Sequence, residues 1–137
     1  MPKRRCATAT AERLVDAVRA VGAWLIAEAL VETTIERLFD GMCAKLQAAG
    51  LDLRRATLSI STLHPMLEAR AFIWLPDQGL TVDQFEHGSQ TRAQWMESPF
   101  RHMLEDRQWI LRRRLAGPKA QIDFPLLGQV RDLGATA

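Results

Sequence analysis

The apolar residues of this chain change their spacing once, and that change divides it. Up to about residue 49 they recur at helical intervals, and beyond Leu53 they alternate. A stripe of period near 3.6 and a stripe of period 2 cannot belong to one element, so helices precede a sheet in the same polypeptide. The fold class that follows is α+β: N-terminal helices packed on a small, mainly antiparallel sheet.

In the helical half, Leu14, Val18, Val21 and Leu25 recur at four, three and four residues, and Gly22, Ile26 and Ala29 widen the stripe. The pattern predicts a helix starting near Thr10, with residues 1–9, charged and then rich in Ala and Thr, expected to be disordered. Thr33-Thr34-Ile35-Glu36 reads as a capping box, in which the Thr33 hydroxyl accepts from the Glu36 amide and the Glu36 side chain returns to the Thr33 amide. A second helix is expected to run to about Ala49, burying Ile35, Leu38, Phe39, Met42, Cys43 and Leu46, with Gly50 at the C′ position.

Residues 56–62 then alternate, His64-Pro65 breaks the pattern, and residues 67–75 resume it, so an antiparallel hairpin is expected. Pro76-Asp77-Gln78-Gly79 marks a turn, followed by a mixed polar stretch with a short strand near residues 82–85. Ser98 and Pro99 suit the N-cap and first position of a short helix reaching about Glu105. Residues 109–115 fit a strand ended by Gly117-Pro118, and Asp123 is placed to cap a last helix over residues 125–133, with Gly134 after it. The domain reading is one α+β domain over residues 10–137, helical in 10–49 and sheet-containing in 54–137.

Several function classes lose support at this level. Net charge is only +2, so no chain-wide polycation draws in nucleic acid or an anionic membrane. No apolar run reaches the roughly 18–20 residues that span a bilayer, and no membrane partner is expected. Cys6 and Cys43 do not make a disulfide framework, Cys43 reads as a buried inert thiol, and the expected location is a reducing cytoplasm. His64, His87 and His102 are far apart, without the spacing of a metal motif, so no metal or cofactor is assigned. The chain carries no GxSxG, phosphate-binding loop or GxGxxG, and it is not read as an enzyme. Arg54-Arg55, Arg112-Arg113-Arg114 and four tryptophans suggest phosphates and base stacking. Trp24 and Trp74, however, are more simply core, and on an extended segment Arg112 and Arg114 share one face while Arg113 lies with Leu111 and Leu115 on the other. Nucleic-acid binding through these segments stays an alternative.

Four stretches, taken in order, resemble the region that precedes the catalytic domain in a group of bacterial class III adenylate/guanylate cyclases. They are WLIAEAL at 24–30, TLHPMLEARAFIW at 62–74, SPFRHMLE at 98–105, and LRRRL at 111–115 continuing through DFP at 123–125 to GAT at 134–136. The resemblance implies a GAF-like sensory module, truncated here, that passes a signal to cyclisation, often as a dimer. The family would continue beyond Gly-Ala-Thr into further strands and the cyclase, so an open sheet edge is expected to be paired or covered. No catalytic residue carries over.

The expected function is a non-catalytic regulatory module acting through dimerisation. Leu14, Val18, Val21 and Leu25 are candidates for a homodimer seam, a spacing equally suited to packing on the sheet. The alternative is a stand-alone small-molecule binder with Phe72, Trp74, Phe85, Trp95, Phe100 and His102 around its site.

Overall fold

A computed structural model describes residues 3–61, 63, 67–86 and 89–136. In chain order the elements are α1 (Lys3–Ala29), α2 (Ile35–Ala48), β1 (Ala56–Ser61), β2 (Leu67–Leu75), β3 (Gly79–Glu86), α3 (Ser89–Met96), α4 (Pro99–Glu105) and α5 (Pro125–Asp132). The three strands form one antiparallel sheet in the order β1-β2-β3, and the α+β class holds. By contacts the chain groups into two compact units: Met1–Leu58 with Phe72–Val82, and Ser59–Ala71 with Asp83–Ala137.

In the first unit α1 packs against α2. Helix α1 begins at Lys3 rather than near Thr10, so the segment expected to be disordered is helical from residue 3 onward. No proline or glycine falls between Pro2 and Gly22, and Ala, Arg and Lys are strong helix formers, so nothing stops the helix from propagating backwards. The cap of α2 is shifted by one residue from the expected box. Thr34, not Thr33, is the N-cap, with extended backbone, and its hydroxyl accepts the Arg37 N–H at 3.3 Å. Adjacent threonines offer the same chemistry, and the choice puts Thr33 Oγ1 in a buried place without a hydrogen-bond partner. At its other end α2 closes as expected: Gly50 takes φ +95°, its N–H donates to Gln47 O at 2.9 Å, and Leu51 N–H donates to Leu46 O at 3.1 Å. That pair of bonds is a Schellman motif, which needs the left-handed residue that glycine supplies without strain.

The core of this unit gathers Val21 from α1, Phe39 and Cys43 from α2, and Phe72 and Trp74 from β2. Cys43 and Phe72 have no exposed surface. Burying a side chain of this size contributes about 1.5–3 kcal/mol relative to leaving it in water. The β2–β3 connection is the expected turn: Pro76 supplies the fixed φ, Gln78 N–H donates to Leu75 O at 3.3 Å, and Gly79 takes φ +70°. Strand β3 is longer than the stretch expected at 82–85.

In the second unit α3 packs against α4, and Ala71, Pro99 and Leu115 are buried. Ser98 caps α4 as expected, accepting the Phe100 N–H at 3.0 Å. Helix α3 carries no helical signature in the sequence, because its residues, SQTRAQWM, make no apolar stripe. Residues 109–115 do not form the expected strand. Exposure does alternate there, with Leu111, Arg113 and Leu115 more covered than Arg112 and Arg114. The ladder is what is missing: Leu115 N–H donates to Thr136 O at 2.9 Å and Arg114 O accepts from Gln121 N–H at 2.7 Å, two bonds to two unrelated segments. Alternation reports an extended backbone, and only a continuous partner makes it a strand. Helix α5 is capped by Phe124 backbone without a side-chain bond, because Asp123 faces Arg113 instead. Gly134, at φ +90°, closes it with bonds from Gly134 N–H to Arg131 O at 2.8 Å and Ala135 N–H to Val130 O at 3.3 Å.

Candidate functional site

Helix α1 carries one apolar stripe about 140° wide, with an inward flank and an outward flank. The inward one holds Val21, buried, and Leu14 and Leu25, half-buried. The outward one holds Val15, Val18 and Ile26, which are 50%, 49% and 68% exposed. Val15 and Ile26 are three turns apart and lie within about 20° of each other around the axis, at about 100° per residue. Of the four residues proposed for a seam, Val18 alone is on this outward side, while Val21 is already committed to the chain's own core.

Trp24, on the flank of α1, lies over Gly41 of α2. A methyl group at Gly41 would meet the far edge of the Trp24 ring, so only glycine leaves room for the indole to lie against the α2 backbone. One turn on, Lys45 Nζ sits 4.9 Å above the ring centroid, a cation–π contact on a partly exposed face. Trp74 of β2 is buried but not apolar throughout. Its Nε1–H donates to Asp40 Oδ1 at 3.1 Å, which satisfies the one polar atom a buried indole carries. Cys43, on the same helix as Asp40, is fully enclosed. Burial, and secondarily the nearby Asp40 carboxylate, push its thiol up from 9.0 to about 11. The nucleophilic thiolate is therefore disfavoured twice over.

The six residues proposed around a ligand divide between the units. Phe72 and Trp74 are core of the first. Phe85, Trp95, Phe100 and His102 belong to the second, where Trp95 and Phe100 are 43% and 38% exposed. His102 has its own partners: its ring centroid is 5.4 Å from that of Phe124, and Nδ1 is 3.4 Å from Asp106 Oδ2. His64 and His87 lie outside the described residues, and among those described no group of three or more His, Cys, Asp or Glu converges as metal ligands do.

The arginine triplet is divided as the alternation implied. Arg113 is turned inward and held by Asp123, with Nη2 and Nε each 2.9 Å from Oδ2. Arg112 and Arg114 point out. Just before them Trp109 and Ile110 stand 94% and 80% exposed. Residue-level sequence reading missed this tip, because strand assignment put Trp109 and Ile110 into a sheet. The signal was present in the absence of any carboxylate between Asp106 and Asp123.

Among the described residues no helix is long and apolar enough to cross a membrane. Comparison with protein-family models finds no match. Comparisons with curated proteins and with solved structures likewise find none.

Proposed function

We propose that this chain is a non-catalytic regulatory module that acts by pairing through the outward face of α1. The observation that carries the reading is the exposed flank of the stripe: Val15, Val18 and Ile26 are exposed on a 27-residue helix whose adjoining flank is turned inward. An apolar stripe left exposed along one flank is explained when a further surface covers that flank. The regulatory character rests on the resemblance of four ordered stretches to the GAF-like region that precedes class III cyclase domains. The proposal moves the seam outward from Leu14, Val21 and Leu25 and keeps Val18. The enclosed thiol of Cys43, pushed up to about 11 by burial, is in keeping with the non-catalytic side, since this thiol is withheld from solvent.

Sedimentation equilibrium tests the pairing. The protein is expected to be dimeric, and Ile26→Glu or Val18→Glu to make it monomeric with unchanged circular dichroism, because both side chains are exposed within the chain. A wild-type protein that stays monomeric into the high micromolar range overturns the pairing. Production of a cyclic nucleotide from ATP or GTP by the purified chain overturns the non-catalytic reading.

A further inference from the structure

Residues 107–122 read RQWILRRRLAGPKAQI, with five cations and no carboxylate, a concentration of charge that the net +2 of the whole chain conceals. Of these cations Arg113 is neutralised by Asp123. Arg107, Arg112 and Arg114 are exposed and make no ion pair with another described residue. Of the carboxylates just upstream, Glu105 is paired with Arg101 at 2.7 Å, and Asp106 Oδ2 lies 3.4 Å from His102 Nδ1. Residues 107–122 therefore present exposed positive charge with no carboxylate among them.

Trp109 and Ile110 project from the same segment at 94% and 80% exposure, and Leu104, at 68%, is tied to it by the hydrogen bond from Arg107 N–H to Leu104 O at 3.3 Å. Single exposed apolar side chains are ordinary, but three within seven residues, followed closely by exposed arginines, concentrate apolar and cationic side chains in one short segment. The turn is firm. After α4, Gln108 N–H donates to Met103 O at 2.8 Å, and Arg107 takes the left-handed conformation at φ +53°, where glycine is the usual residue. A cation thus stands at a position whose backbone favours a residue without a side chain.

We propose that this turn docks on an anionic lipid bilayer surface, with Trp109, Ile110 and Leu104 entering the headgroup boundary and Arg107, Arg112 and Arg114 meeting lipid phosphates and carboxylates. Charge complementarity selects an anionic partner. The aliphatic side chains select lipid over nucleic acid: a tryptophan suits either the interface or a base, whereas Ile110 and Leu104 have no π-face to stack and do gain from the acyl boundary. The contact is peripheral and independent of the pairing of α1.

The test is co-sedimentation of the full chain with vesicles of phosphatidylcholine alone and of phosphatidylcholine mixed with phosphatidylserine. Binding is expected to the mixed vesicles only and to weaken as salt is raised. Arg112→Gln with Arg114→Gln lowers the partition coefficient roughly 30-fold, from the surface attraction of two cations. Trp109→Ser with Ile110→Ser lowers it with the charge intact and with unchanged circular dichroism, since both side chains are exposed. Three results overturn the proposal. One is no binding to the mixed vesicles at low salt. Another is equal binding to phosphatidylcholine alone, or binding insensitive to both double substitutions. The third is tighter binding to single-stranded oligothymidylate, lost with Trp109→Ser, which assigns the patch to nucleic acid.

Discussion

Trp74 on β2 donates its indole N–H to Asp40 on α2 across 3.1 Å, a hydrogen bond that joins strand and helix. Asp40 itself is exposed, so its charge stays in contact with water while it accepts this bond. Asp40→Ala leaves a buried donor unpaired and is expected to lower unfolding free energy by about 1–3 kcal/mol. Asp40→Asn keeps an acceptor and is expected to lose much less. The difference between the two urea midpoints, at constant slope, measures the bond.

Two helical glycines make opposite predictions. Gly22 has nothing within 4 Å of where an added methyl would stand, so Gly22→Ala only removes backbone freedom from the unfolded chain. It is expected to stabilise the chain by roughly 0.5–1 kcal/mol. Gly41→Ala drives a methyl into the Trp24 ring, and overpacking of that kind costs about 1–3 kcal/mol, more than the helix preference returns. Thermal denaturation at protein concentrations where the chain is monomeric gives both signs, and Trp24 fluorescence reports whether the ring has moved.

Ser98 and Asp123 both precede a proline-led helix region, yet their roles differ. Ser98→Ala removes a cap bond of 3.0 Å and is expected to destabilise by about 1 kcal/mol. Asp123→Ala removes a partly exposed ion pair with Arg113, not a cap, and should cost under about 1 kcal/mol. Helical circular dichroism separates them: it is unchanged in Asp123→Ala if α5 starts from Phe124 backbone alone.

Cys43 predicts an alkaline weakness. Its folded pKa, about 11, is above its ordinary value of 9.0, so the folded state holds the proton longer than the unfolded state does. Below pH 9 both states are protonated and the contribution is fully present. Between 9 and 11 the unfolded chain releases the proton first, and stability falls with rising pH, approaching about 1.4 kcal/mol per unit for this group. Cys43→Ala should flatten that part of the curve even though it opens a small cavity. Alkylation at pH 8 should be slow for the folded protein and fast in urea.

How much of this was legible depended on how local the cause was. The bounds of β2, the Ser98 cap and the left-handed Gly50 and Gly134 follow from residues within a few positions of each other, and sequence pattern reached them. The stretch 109–115 alternates just as a strand does, but a ladder needs a partner distant in sequence, and its hydrogen bonds go to Thr136 and Gln121 instead. The box at Thr33 failed by one residue because Thr34 carries the same hydroxyl. Helix α3 has no stripe to read. At the candidate seam, Val18 and Val21 are indistinguishable by period, and only packing shows that Val21 is consumed inside the chain while Val18 is left outside.

The interleaving of the two compact units has a genetic consequence. Each strand crosses from one to the other along its own length: β1 between Leu58 and Ser59, β2 between Ala71 and Phe72, β3 between Val82 and Asp83. Neither unit is one continuous stretch of the sequence, and any break between Ser59 and Val82 divides both. A deletion series that stops inside that span is expected to disturb both, whereas one that stops after Val82, still within β3, keeps every residue of the first.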